Sequence, residues 1–237
     1  GRVGNALRLN DEYDLVFLRE GGQFELNEPY SAGAWIRTEK EGENQTIFGV
    51  AGELGNAWRG WDIFLDAENR PSLRMIGFWP HNYMQVTAKS AIAQAEWHHV
   101  LFTYDGLGQA GGLRIYIDGE LAECTTDHDA LYRTIVLSWG EQEGWPQKPI
   151  MVGRSGRFYT GDNGVFLGSL DHIQLFARTL SRLEVASLYA DQAKTESDTV
   201  KSARTKSEVV DHHFHRHDGD AQEVLGRLRK LLGEKLE

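Results

Sequence analysis

The chain has 237 residues, with 25 Lys and Arg against 35 Asp and Glu, a formal charge of −10, 41% apolar side chains and 11% aromatic ones. That apolar share can bury a core and excludes wholesale disorder, while an acidic balance without any Lys/Arg run argues against nucleic acid as a partner. The single cysteine, Cys124, excludes an internal disulfide framework, a cysteine-based zinc site and covalent haem attachment through C-x-x-C-H, and no apolar run approaches the roughly 18 residues that span a bilayer.

Taken in chain order, alternation of apolar and polar residues predicts short strands. They fall at Ala6–Leu9, Ala32–Arg37, Thr46–Val50, Trp61–Leu65, Ser72–Gly77 and Met84–Ala88. Trp97–Tyr104 follows, closed by Asp105-Gly106, and then Leu113–Asp118, where Leu113, Ile115 and Ile117 share one face. Asp118-Gly119 is a turn dipeptide and predicts a hairpin into Leu121–Thr125. Ile150–Gly153 and Gly168–Phe176 complete the set. Around a dozen short strands without intervening helices predict an all-β fold of two packed antiparallel sheets.

A helix is predicted next. Ser181-Arg182-Leu183-Glu184 is a capping box, in which Ser and Glu side chains satisfy the first free backbone N–H groups. Leu183, Ala186, Ser187 and Ala190 follow at helical spacing. Composition then changes sharply. Residues 1–191 hold 16 Lys and Arg against 26 Asp and Glu, whereas residues 192–237 hold 9 of each. All 5 Pro, 23 of 26 Gly and 24 of 25 aromatics also lie in the first part. The expected organisation is a sandwich over 1–191, a polar linker or exposed helix over 192–210, and an amphipathic helical segment over 211–237. In the last, Val224, Leu225, Leu228, Leu231 and Leu232 form one face with little of its own to pack on. That face is expected to dock onto other domains of a parent protein or onto a neighbouring chain. The first residue is Gly1 rather than Met, which predicts a piece of a longer protein and makes the lack of a leader uninformative about compartment.

Several stretches in order resemble the laminin-G-like, concanavalin-A-like jelly-roll modules. Gly4-Asn5-Ala6-Leu7-Arg8-Leu9 resembles the opening strand, and Ala32-Gly33-Ala34-Trp35-Ile36 the early strand with its buried Trp. Trp97-His98-His99-Val100, running on to Tyr104-Asp105-Gly106, is the most diagnostic, followed by Ile115-Tyr116-Ile117-Asp118-Gly119. Leu170-Asp171-His172-Ile173-Gln174-Leu175-Phe176 and Arg178-Thr179-Leu180-Ser181 resemble the closing strand and helix start. The resemblance spans about residues 3–190 and implies a two-sheet antiparallel jelly roll. Phe78-Trp79-Pro80-His81-Asn82 and Tyr104–Leu113 further resemble the version embedded in planctomycete-type proteins with cytochrome-c-like domains, and the tail from Asp211 resembles the point where such a parent resumes. This narrower resemblance implies an extracytoplasmic setting, periplasmic or secreted, and a role in handling polysaccharide. No haem is expected in this segment.

Candidate sites each carry two readings. Trp35 and Trp97 lie in alternating apolar strands and match core positions of the family, so core is expected. Trp58, Trp61, Trp79, Trp139 and Trp145 lie in or beside predicted loops, where exposed aromatics suit stacking on sugar C–H faces or else cover sheet edges. Trp58, Trp79 and Trp145 are the favoured contacts. Trp79-Pro80-His81-Asn82-Tyr83 gathers stacking surface, imidazole and amide within five residues; the other reading is a turn stiffened by Pro80. Arg59, Arg154 and Arg157 are candidate polar partners. The resemblance also implies a structural Ca²⁺, because adjacent first and last strands would bring Asp11 or Asp14 near Asp171; the alternatives are turn residues and an ion pair with Arg. His212, His213, His215 and His217 could chelate a transition metal, or mark a helix start out of context. His98-His99 is explained by the family pattern, one imidazole packed inside with a hydrogen bond and the other facing out.

Catalysis is not expected. Related jelly-roll glucanases carry E-x-D-x-x-E or E-x-D-x-E on one strand, supplying carboxylates about 5 Å apart. Glu141-Gln142-Glu143 is the nearest spacing here, and it lies in a Gly/Trp-rich loop. Neither a G-x-S-x-G elbow, an H-E-x-x-H pair nor a phosphate loop is present. The expected function is a non-catalytic carbohydrate-binding module of a larger extracytoplasmic protein. A protein-interaction or architectural module is the alternative, and a glycosidase or lyase a third.

Overall fold

The computed structural model describes residues 1–2, 4–18, 21–52, 57–136, 149–155 and 164–202, with side chains described to residue 194. In chain order the strands are β1 (Leu7–Leu9), β2 (Val16–Leu18), β3 (Tyr30–Thr38), β4 (Gln45–Ala51), β5 (Gly60–Leu65), β6 (Pro71–Phe78) and β7 (Asn82–Ala88). There follow β8 (His98–Tyr104), β9 (Leu113–Ile117), β10 (Glu120–Leu121), β11 (Cys124–Asp129), β12 (Ile150–Val152), β13 (Gly164–Val165) and β14 (Gly168–Phe176), then helix α1 (Arg182–Ser202). One sheet runs β1-β14-β3-β8-β9-β10; the other runs β11-β7-β6-β5-β4-β12-β2, with β13 added parallel to β4.

Alternation builds the core between these sheets. Trp61, Ile63 and Leu65 of β5, Leu73 and Met75 of β6, and Met84, Val86 and Ala88 of β7 face Ala32, Ala34 and Ile36 of β3 and Val100, Phe102 and Tyr104 of β8. Trp61 is fully buried, and its indole N–H donates to the Gly22 carbonyl at 2.7 Å, which satisfies the only donor it carries inward. The residues of opposite parity point outward on each sheet.

Helix α1 covers the outer face of the six-stranded sheet. Leu101, Tyr116, Leu180 and Val185 form a second apolar cluster there, with Leu188 and Phe176 packed against it. The capping box is formed: the Ser181 N–H and hydroxyl both donate to Glu184 Oε2 at 2.8 Å, and the Glu184 N–H returns to Ser181 Oγ at 3.3 Å. A hydrogen bond from Arg178, then those from Ser181, hold the Glu184 carboxyl down at about 2.

Four local readings change. Trp35 is buried, but under α1 rather than between the sheets: it stacks on Tyr189 at 5.4 Å and donates from Nε1 to Gln192 Oε1 at 2.7 Å. Trp97 is only half-buried. Leu183 is 80% exposed, and Val185 is the residue that packs, because the helix is rotated relative to the phase expected from Leu183. The predicted strand Leu121–Thr125 is split. Asp118 and Gly119, at φ 52° and 80°, close a two-residue hairpin pairing Ile117 with Glu120, and the chain then crosses to the other sheet, where Cys124 pairs with Ala88. Five residues of alternation cannot distinguish one strand from a crossover between two sheets. No helix among the described residues is long and apolar enough to cross a membrane.

Candidate functional site on the outer face of the eight-stranded sheet

The outer face of the eight-stranded sheet carries an uncommon set of side chains. Pairing places Asp62 opposite Arg74, Arg74 opposite Gln85, and Gln85 opposite His128, a row crossing β5, β6, β7 and β11. The neighbouring row runs Phe64, Ser72, Thr87 and Thr125. A bulge in β11 between Thr126 and His128 adds one residue to that strand. Asp127 therefore joins the outer face, accepting hydrogen bonds at Oδ2 from Thr87 Oγ1 (2.5 Å) and Gln85 Nε2 (3.1 Å).

These rows line an open cleft of about 290 Å³, with Phe64 as its apolar wall and Asp66, Arg70, Arg74, Gln85, Thr87 and Asp127 as its polar groups. Arg74 is held by Asp62 through Nε–Oδ1 at 3.2 Å and Nη2–Oδ2 at 3.1 Å. Its guanidinium lies 4.7 Å from the centre of the Phe64 ring and 5.7 Å from that of Trp79. Asp66 receives Arg70 Nε at 2.7 Å and the Arg70 and Glu68 amides. That carboxylate raises the Arg70 pKa, first through the hydrogen bond and then through its charge, so Arg70 is a permanent cation. Beside the cleft, Trp79 meets Tyr83 at 4.6 Å, and Tyr83 stacks on His128 at 3.9 Å. An aromatic strip thus runs along a polar cleft. Flat rings for C–H faces and fixed donors and acceptors for hydroxyls are what sugar recognition uses.

The residues singled out from sequence go to different places. Trp79 and Tyr83 come together in the strip, and His81 stands exposed in the turn between β6 and β7. Asn82 is buried: its Nδ2 donates to the Ala130 carbonyl at 2.7 Å, so it braces the turn from within. Trp58 is buried, at φ 61°. Arg59 Nε donates to the Gly77 carbonyl at 3.3 Å. Arg154 follows β12 and donates to the Glu12 carbonyl at 3.4 Å; it does not line the cleft. Trp139, Trp145, Arg157, Glu141, Glu143 and the imidazoles His212, His213, His215 and His217 lie outside the described residues.

The calcium donors do not form a common set. Asp14 is buried and its Oδ2 accepts the Asn10 amide at 2.6 Å, while Asp11 Oδ1 accepts the Tyr13 and Asp14 amides at 2.8 and 3.2 Å. These carboxylates hold their own turn. Among the described residues no three His, Cys, Asp or Glu side chains converge as metal donors, Asp171 included.

Of the paired histidines one packs inside as expected, but the ring hydrogen bond belongs to the other. Buried His99 makes no ring hydrogen bond among the described residues, and packs against Trp35 at 5.3 Å. Burial pushes its pKa down to about 4. Less buried His98 bonds Asp118 Oδ2 through Nδ1 at 2.8 Å and accepts the Ala93 amide at Nε2.

The signal missed in the sequence was parity. Asp62, Ser72, Arg74, Gln85 and Thr87 interrupt predicted strands between core residues, and all five share the opposite face.

Comparisons with known proteins agree with this architecture. The model of the concanavalin A-like lectin/glucanases superfamily matches residues 10–186. Among solved structures, the CBM40 module of the IT-sialidase of Ruminococcus gnavus, bound to α2,3-sialyllactose, superposes with a TM-score of 0.59 at 15% identity, covering 78% of this chain and 96% of that one. A putative carbohydrate-binding protein from Bacteroides ovatus gives 0.51 at 14% identity over 77% of this chain and 45% of that one. The binding domain of botulinum neurotoxin serotype G gives 0.51 at 17% identity, over 79% and 46%. A search of curated proteins finds no match.

Proposed function

This chain belongs to the concanavalin A-like lectin/glucanases superfamily, and we propose that it acts there as a non-catalytic glycan-binding module of a larger extracytoplasmic protein. The observation that carries this reading is the cleft on the eight-stranded sheet, where Arg70, Arg74, Gln85 and Asp127 stand beside the ring of Phe64 and the Trp79–Tyr83–His128 strip. A pyranose presents hydroxyls around its edge and an apolar C–H face. The cleft offers both acceptors and donors to the former and rings to the latter; Phe64, Arg74, Gln85 and Asp127 are fixed on strands and Arg70 by its ion pairs in the β5–β6 turn, so little order is lost on binding.

The carboxylates of the cleft support a binding role over hydrolysis. A retaining glycosidase needs one protonated acid and one free nucleophile about 5 Å apart. Here Asp62 is tied to Arg74, Asp66 to Arg70, and Asp127 to Thr87 and Gln85. Groups held this way are already engaged as hydrogen-bond acceptors. The relatives whose names refer to carbohydrate binding share this fold, which supports the substrate class without naming a sugar.

The test is retention of the full chain on a panel of immobilised polysaccharides, with a Trp79→Ala/Tyr83→Ala variant alongside. Binding that disappears in the variant is the expected result. Clean failure of the folded protein across the panel would transfer the assignment to a protein-interaction module, and release of reducing sugar would overturn the non-catalytic role.

A further inference from the structure

We infer that the cleft selects glycans without carboxylate or sulfate groups and takes an uncharged sugar whose hydroxyls donate to Asp127. The inference rests on the glycan-binding reading of the same cleft and adds the charge class of its ligand. Its two guanidiniums look like anchors for an acidic sugar, but neither has charge to spare. Arg74 is neutralised by Asp62, which is 0% exposed and makes the two hydrogen bonds described above. Arg70 is neutralised twice, by Asp66 at 2.7 Å and by Glu68 at 3.0 Å.

Asp127 then tips the balance. Its Oδ2 is occupied by Thr87 and Gln85, and Oδ1 accepts no hydrogen bond among the described residues, although Asp127 lines the cleft. Counting the partners behind the cleft wall, the carboxylates of Asp62, Asp66, Glu68 and Asp127 answer the two cations Arg70 and Arg74, and Asp127 makes no ion pair of its own among the described residues. An incoming carboxylate or sulfate meets this excess at a few ångströms, where like charges repel strongly in a partly desolvated groove. A hydroxyl instead donates to Oδ1 in a charge-assisted bond and accepts from Arg70 or Gln85, which line the same cleft and carry more N–H groups than their bonds to Asp66, Glu68 and Asp127 use. Uncharged hydroxyls fit both sides of this set; an anion fits neither.

The experiment compares the full chain on matched neutral and acidic probes: lactose against 3′-sialyllactose, and manno- and cello-oligosaccharides against oligogalacturonate. It is run at low and moderate salt with wild type and Asp127→Asn, whose amide oxygen keeps the Thr87 and Gln85 hydrogen bonds while the charge is lost. At least tenfold preference for the neutral series is expected, on the scale of one unfavourable charge contact. Asp127→Asn should narrow that gap severalfold without lowering thermal stability. Equal or tighter binding of the acidic probes, abolished by Trp79→Ala/Tyr83→Ala, would overturn the charge assignment while leaving the glycan-binding site intact. Absence of binding to every probe by the folded wild type would overturn the site itself, and the charge assignment with it.

Discussion

Asp62 and Arg74 form a two-bond ion pair across β5 and β6 on the outer face of a sheet, yet both are buried, at 0% and 4% exposure. Phe64 and Trp79 flank the guanidinium, so its charge is removed from water on the ring sides and answered along its edge. Such a pair adds little net stability over apolar residues of equal size, but removing one partner strands a buried charge. Asp62→Asn is therefore expected to cost about 3–5 kcal/mol in urea unfolding. An Asp62→Leu/Arg74→Met double variant should recover much of that stability and still bind glycan poorly. Equal losses in single and double variants would show the pair to be packing alone.

The aromatic strip makes a separate prediction. Trp79 is half-buried and contacts Tyr83, while Tyr83 is backed by His128. Trp79→Ala should weaken glycan binding roughly tenfold, about 1.4 kcal/mol, with little change in melting temperature. Asn82→Ala should do the reverse. Its amide braces Ala130 from a buried position, so the loss would register in stability first, at about 1–2 kcal/mol. Calorimetric titration and thermal melting on both variants separate the two roles.

How much of this could be read from the chain follows from the range of each signal. Alternation over Trp61–Leu65 or Met84–Ala88 is local and strong, and it fixed strand positions and the inner face together. The two-residue β13 and three-residue β2 are too short for any period to show. Trp35 was expected inside on the strength of its size, yet its neighbours Ala34 and Ile36 occupy the inner face, so parity alone sends Trp35 outward. What made that outward place apolar was α1, arriving from more than 140 residues away. The cleft was hidden for a similar reason: Arg74 and Asp127 meet only after strand order is known.

Stability should depend on pH through His99. Its pKa is lowered by burial, slightly offset by Asp118 and further lowered by His172. The unfolded chain takes up a proton near pH 6.5, while the folded chain resists until about pH 4. The His99 contribution is thus fully present above pH 6.5 and is lost as pH falls toward 4, by about 3 kcal/mol in all. Chevron or urea midpoints measured across this window should flatten in His99→Leu. An unchanged pH slope in that variant would remove His99 as the cause.

Gly119 ties the β9–β10 hairpin to the helix above it. It sits at φ 80°, and a Cβ there would lie 3.0 Å from Tyr189, the ring stacked on Trp35. Gly119→Ala meets two penalties at once, a left-handed backbone and a push against α1. A loss of about 1–2 kcal/mol is expected. Tyr189→Ala should relieve the steric part but not the backbone part, so the double variant separates them in unfolding measurements.

Gln192 lies one residue past the compositional boundary at 191, but it is buried and belongs to the packed unit. Its Oε1 accepts the indole N–H of Trp35, and its Nε2 donates to Gln174 Oε1 at 3.0 Å, so one side chain joins α1 to β3 and β14. Ending the chain after residue 191 would leave the Trp35 N–H without its acceptor beneath a shortened helix. An unsatisfied buried donor costs about 1–3 kcal/mol, before any fraying of the helix is added. A truncation after Ser202 keeps Gln192, and one after Asp191 should melt several degrees lower than it. Gln192→Leu in the full chain should reproduce most of that drop, because it removes the acceptor while keeping the helix. If truncation after Asp191 left the melting temperature unchanged, the hydrogen bond would be dispensable and the compositional boundary would also be the physical one.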